Sequence, residues 1–177
     1  MDLESRYQAL VEELTENGVR LVDKSHVWHQ RAIDLLLRLL TFGAQSIYLD
    51  RYVTTIGRTI YLTPDWPERS AADRYATLRH EMVHLHQFRR FGLLPMALAY
   101  LLLPLPVGLA WCRMRLEREA YAETVRVHYA LGGRAATDRL RAHVIRQFTS
   151  ASYAWMWPFP RALARWYDEL VDSLERN

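Results

Sequence analysis

Two histidines and a glutamate near the middle of the chain have types and spacing that suit metal chemistry. His80 and His84 are four residues apart, so on a helix both imidazoles lie on one face. Neutral imidazole nitrogens are good zinc ligands. Glu81 follows His80 directly and could act as a general base toward a water at the open position of such a site. The spacing therefore predicts a zinc site with hydrolytic chemistry.

The segment that carries these residues is predicted to form one helix. Residues 71–90 contain neither Pro nor Gly and are rich in helix formers. Ser70, with Asp73 three residues later, is suited to cap the N-terminus. The alternative is a buried helix whose histidines only form hydrogen bonds. Apolar residues at steps of three and four would hold this helix against a core: Tyr75, Leu78, Met82, Leu85 and Phe88.

A third metal ligand has to come from another part of the chain. His86 points about 200° away from His84 on the helix, so it is not expected to join the pair. A downstream helical segment carries Glu119 and Glu123 on one face, with Glu117 turned well away from Glu119. The alternative for these glutamates is a solvated charged face that pairs with neighbouring arginines.

The H-E-x-x-H motif and residues 119–123 (Glu-Ala-Tyr-Ala-Glu) together resemble the gluzincins, the thermolysin-like group of zinc peptidases. The resemblance covers roughly residues 47–130. It implies that Glu119 completes the zinc site with the two histidines and that Glu123 orients one of them. It further implies a zinc-dependent endopeptidase that hydrolyses peptide bonds through a zinc-activated water, with Glu81 as the general base.

Two other functions stay open at this point. One is an inactive zincin-like module that binds a protein or a membrane, and the other is a zinc amidohydrolase that acts on amides other than peptides. A peptidase also needs a donor for the oxyanion of its tetrahedral intermediate. In gluzincins a Tyr or His on a later helix supplies it, and His143 and Tyr153 are the candidates here, although no motif chooses between them.

Residues 46–63 change in character from helix to strand. Runs rich in β-branched and aromatic residues lie on both sides of Gly57-Arg58, which predicts a small antiparallel sheet just before the helix of the two histidines. The resemblance makes Thr59–Thr63 the edge strand to which an extended peptide would add. The predicted fold class is α+β, predominantly helical and zincin-like, in a single domain of residues 1–177.

Residues 91–112 carry no charge at all. Their length would suffice for a membrane span, but a single crossing would separate His84 from Glu119, and three prolines interrupt the segment. The favoured interpretation is a buried connector or helical hairpin in the core. The alternative is an exposed flap that contacts an apolar substrate, a hydrophobic partner or the surface of a membrane.

The amino-acid composition argues against several other classes of protein. Half of the 177 residues are apolar, which predicts a folded chain, and Cys112 is the only cysteine, which excludes a disulfide framework. The net charge is +3 and the arginines alternate with acids, so no nucleic-acid partner is expected. The acidic N-terminus lacks the plan of a signal peptide, which favours a cytoplasmic protein, with membrane association left open.

The remaining pattern predicts further helices and no repeats. His26 and His29 stand at the start of one of them, and we interpret both as surface or capping residues. The predicted helices span residues 2–16, 27–42, 135–153 and 161–174.

Overall fold

The computed structural model describes residues 2–24, 52–101, 109–150 and 156–176. They are mainly helical with one small three-stranded mixed sheet, so the predicted α+β class is confirmed at this level. The chain forms two compact units, Met1–Met96 and Ala97–Asn177. The single domain and the zincin-like architecture stay predictions. The predicted helix at 27–42 lies outside the described residues, as do His26 and His29.

The first unit places its helices where the apolar periodicity predicts them. Helix α1 begins after Asp2, whose carboxylate accepts a hydrogen bond from the Ser5 amide at 2.7 Å, and ends before Asn17-Gly18. The elements in chain order are α1 (Leu3–Glu16), β1 (Arg20–Asp23), β2 (Thr54–Ile56), β3 (Thr59–Leu62), a 3₁₀ turn (Trp66–Glu68) and α2 (Ala71–Phe91), and α3 (Leu93–Leu101) follows.

The sheet has the strand order β1-β3-β2, which differs from the prediction in two ways. Strands β2 and β3 form the expected antiparallel hairpin, whose turn uses Gly57 at a φ of +60°. Strand β1 adds to the other side of β3 in parallel, so the sheet is mixed. The prediction that Thr59–Thr63 is an edge strand is therefore wrong, because β3 has a partner on both sides.

The only lysine of the chain joins β1 to the segment that leads into β2. Lys24 is fully buried, and its Nζ donates to the carbonyl oxygen of Tyr52 at 2.9 Å and to Oγ1 of Thr54 at 3.0 Å. A buried ammonium group is tolerated only when such acceptors replace its hydration. These contacts hold the start of β2 in place, and β2 also contacts α2.

The core of the first unit lies between α1, the sheet and α2. Trp66 Nε1 donates to the Tyr7 hydroxyl at 3.2 Å, which fixes the 3₁₀ turn against α1. Leu78 and Leu85, two of the apolar residues predicted to hold this helix against a core, are buried. The histidines therefore lie on the other face of α2. The buried cluster comprises Tyr7, Leu10, Leu14, Val19, Ile60, Trp66, Leu78 and Leu85.

The second unit is built from α4 (Leu109–Thr149), which is interrupted at Gly132-Gly133, and α5 (Pro160–Arg176). Gly133 has a φ of +60°, which a helix cannot continue through, so the chain changes direction at this pair. The buried Tyr167 of α5 donates to the carbonyl oxygen of Thr137 at 2.7 Å, and burial raises the pKa of Tyr167 to about 12. No helix among the described residues is both long and apolar enough to cross a membrane.

Candidate metal site

Helix α2 presents the two histidines of the motif on one face. Its first turn is capped as predicted, because Ser70 Oγ accepts from the Asp73 amide at 3.1 Å and donates to the Asp73 carboxylate at 2.6 Å. One turn apart in the middle of this helix, the Nε2 atoms of His80 and His84 lie 3.2 Å from each other. Both rings therefore turn the same nitrogen toward one point.

The separation of these two nitrogens fits a shared cation. With zinc–nitrogen bonds of about 2.0–2.1 Å, two ligand atoms 3.2 Å apart subtend an angle of roughly 100–106° at the metal. That angle is close to the tetrahedral value that zinc prefers. The ring planes of His80 and His84 are inclined by 71°, so the imidazoles approach one another by their edges and not by stacked faces.

Gln87 fixes the orientation of the second histidine. The Nδ1 atom of His84 lies 2.9 Å from Oε1 of Gln87, and both residues are buried. An amide oxygen only accepts, so Nδ1 is the donor in this contact, and Nε2 of the same ring faces His80. An outer partner of this kind sets the tautomer that a metal ligand requires.

Thr55 of β2 holds the carboxylate of Glu81. The Thr55 hydroxyl donates to Glu81 Oε2 at 2.7 Å, and both side chains are buried. The other carboxylate oxygen is not used by this bond. Glu81 is thus anchored by the sheet while it belongs to the same helix turn as His80.

One group of three side chains with metal-ligating atoms occurs among the described residues: His80, His84 and Glu117. One ligand atom of each lies within 4.8 Å of the others. Side chains of these three types could together hold a metal ion, and the set is not specific to zinc. Glu117 is only 5% exposed, which is unusual for a glutamate in a helix.

Glu119, the predicted third ligand, is not part of this group. It is exposed on α4, whereas Glu117 is buried. The reason is helical phase: residues two apart differ by about 200°, so the face that carries Glu117 leaves Glu119 on the other side. Glu119 as the third ligand stays a prediction from the sequence, whereas Glu117 is the buried glutamate of this helix segment. Glu123 forms an ion pair with Arg126 at 3.4 Å, and its role beside a ligand histidine stays a prediction.

The other predicted residues lie away from this group or outside the described chain. His86 is exposed, as its position on the helix predicts. His143 is exposed and contacts the Gln147 amide at 3.2 Å, and Tyr153 lies outside the described residues. The donor for an oxyanion stays unassigned.

Sequence reasoning missed Gln87 and Thr55, and the two omissions differ in kind. Gln87 is three residues after His84, a spacing at which helical side chains meet, so the sequence contained that signal. Thr55 is 26 residues from Glu81, and only the packing of β2 against α2 brings them together.

Comparisons with protein-family models, with curated proteins and with solved structures found no match for this chain. The resemblance to gluzincins therefore depends on the two motifs alone. The function has to be argued from the contacts of the site itself.

Proposed function

We propose that the chain is a zinc-dependent peptidase whose metal ligands are His80, His84 and Glu117. The observation that carries the proposal is the 3.2 Å separation of the Nε2 atoms of His80 and His84, and Glu117 is proposed as the third ligand because it is a buried acid. Two imidazoles and one carboxylate form a donor set typical of catalytic zinc, in which three protein ligands leave the fourth position open. A structural zinc site would fill that position with a fourth side chain.

The proposed mechanism assigns separate tasks to the residues of α2 and β2. A zinc ion in this site would supply a Lewis acid and lower the pKa of a water molecule. The Glu81 carboxylate would accept the proton of the attacking water and pass it to the departing amine nitrogen. The Thr55 hydroxyl donates to Oε2 of Glu81 and so orients the carboxylate that would take the proton. Gln87 holds the His84 ring in the orientation in which Nε2 would face the ion.

The position of β2 favours a peptide as the substrate. Among the described strands, β2 lies at an edge of the sheet, and its residue Thr55 contacts the proposed base. An extended peptide can add to an edge strand through main-chain hydrogen bonds, which would bring a peptide bond near Glu81. This argument replaces the one based on Thr59–Thr63, since that strand is central.

The proposal is tested by metal uptake and hydrolysis together. We expect the metal-free protein to take up one zinc ion per chain, measured by elemental analysis after gel filtration. We expect the zinc form to cleave internal bonds in a library of quenched fluorescent peptides. A chelator should abolish the cleavage, and added zinc should restore it, because the proposed ligands hold the ion reversibly.

The two alternatives give different results in the same experiment. A protein that takes up no zinc and cleaves nothing would be a zincin-like binding module without activity. A protein that takes up zinc, leaves every peptide intact and hydrolyses small amides would be an amidohydrolase of another class.

A change at Thr55 should lower the rate without removing the metal. Thr55→Val keeps the shape of the side chain and removes the donor to Glu81, so we expect kcat to fall about tenfold or more. Thr55→Ser keeps a hydroxyl and should restore most of the rate. Zinc stoichiometry should be equal in all three proteins, because Thr55 is not a ligand. Equal kcat for the Val variant and the original protein would contradict the role of this hydrogen bond.

A further inference from the structure

Large apolar side chains are exposed where α2 ends and α3 begins. Phe91 is 45% exposed, Leu93 59%, Leu94 69% and Leu98 45%. Isolated exposed apolar residues are normal, but four within eight residues are a cluster. Leu94 and Leu98 are four apart in α3, so they lie on one helix face. We call Phe91, Leu93, Leu94 and Leu98 the apolar corner.

Two arginines stand directly beside the apolar corner. Arg89 and Arg90 occupy the last turn of α2, and both are exposed. The guanidinium carbon of Arg90 lies 5.1 Å from the centre of the Phe91 ring. Neither arginine forms an ion pair within the part of the chain that the structure describes, whereas Arg134 and Arg141 both pair with carboxylates.

The sequence on both sides of the apolar corner carries charge of a single sign. No aspartate or glutamate occurs in residues 82–116, while that segment contains four arginines. A partner for this surface should therefore be apolar and carry negative charge next to its apolar part. The surface of a bilayer with anionic lipids has this arrangement, because acyl chains lie directly below the charged headgroups.

We propose that the apolar corner docks on the surface of an anionic bilayer. Phe91 and the three leucines enter the boundary between headgroups and acyl chains, and Arg89 and Arg90 contact the lipid phosphates. Arginine is suited to this position because its stem covers apolar surface while its charged group stays at the headgroups. Docking of this kind is independent of the proposed zinc chemistry, since none of these residues belongs to the metal group.

Flotation with lipid vesicles tests the proposal with the full chain. We expect the protein to float with vesicles of phosphatidylcholine and phosphatidylglycerol, and to do so much less with phosphatidylcholine alone or in high salt. Arg89→Gln together with Arg90→Gln should lower the partition coefficient about 30-fold, at about fivefold per arginine. Leu93→Ser together with Leu94→Ser should lower it at least about tenfold. The matched control is Arg139→Gln with Arg146→Gln, which changes two exposed arginines of α4. The partition coefficient of this control should stay within about twofold of the original value.

Three results would overturn the proposal. The first is no flotation with the anionic vesicles. The second is an equal loss of vesicle binding in the control and in the Arg89 and Arg90 variant, which would indicate a general effect of net charge. The third is a dimer in analytical ultracentrifugation that the Leu93 and Leu94 variant dissociates, because the apolar corner would then be an interface between two copies of the chain.

Discussion

Replacing Glu81 by Gln is expected to lower the rate of peptide hydrolysis by about 10²–10⁴-fold while the protein keeps its zinc. The amide has almost the same shape as the carboxylate and can still accept the hydrogen bond from Thr55. It cannot take a proton from water at neutral pH, so the general base is lost. The measurement is kcat of the zinc-loaded variant, with zinc content determined on the same sample.

Glu119→Gln is the matched control for this substitution. It makes the same chemical change on an exposed glutamate, and the rate should stay within about twofold. A Glu81→Gln variant that retains more than a tenth of the original kcat would contradict the assignment of Glu81 as the base. Equal loss of zinc and of activity would instead indicate that Glu81 supports the metal group.

Replacing Glu117 by Gln should remove most of the affinity for zinc. A neutral amide is a poor zinc ligand, and the site would lose its only anionic donor among the three. Changing an outer partner of a ligand already costs about 10–100-fold in affinity, so the loss of a direct ligand should exceed that range. The measurement is competition with a chromogenic chelator, with circular dichroism to verify that the buried substitution leaves the fold intact.

The same titration on Glu119→Gln decides between the two glutamates. We expect unchanged affinity for this variant, because Glu119 is exposed and lies outside the metal group. If Glu119→Gln releases zinc and Glu117→Gln retains it, the assignment made from the sequence motif was right and the present one is wrong. If neither variant changes the affinity, the third ligand is not in this helix.

Local sequence signals predicted the elements of the fold well. The apolar periodicity and the caps placed α1 and α2 within one or two residues, because both depend on neighbours along the chain. The Gly57-Arg58 turn correctly predicted the β2–β3 hairpin. Strand β1 was missed, because it has only four residues and joins β3 in parallel across 39 positions. Pairing over such a distance leaves no local pattern.

The candidate site shows the same division between local and distant information. The pair of histidines is set by one helix, and the sequence alone was sufficient to predict it. The third ligand depends on which face of α4 is buried: the motif of residues 119–123 favours Glu119, whereas Glu117 is the buried glutamate. Two glutamates separated by a single residue lie on nearly opposite faces of a helix. Rotation of the helix by half a turn would therefore exchange the environments of the two side chains.

The burial of Lys24 has a consequence for chemical labelling. The chain contains one ε-amino group, and it is enclosed by its bonds to Tyr52 and Thr54. An acylating reagent can reach this nitrogen only when the contact between β1 and the start of β2 opens transiently. Acylation of the Lys24 side chain would therefore report the transient opening of the sheet that carries Thr55.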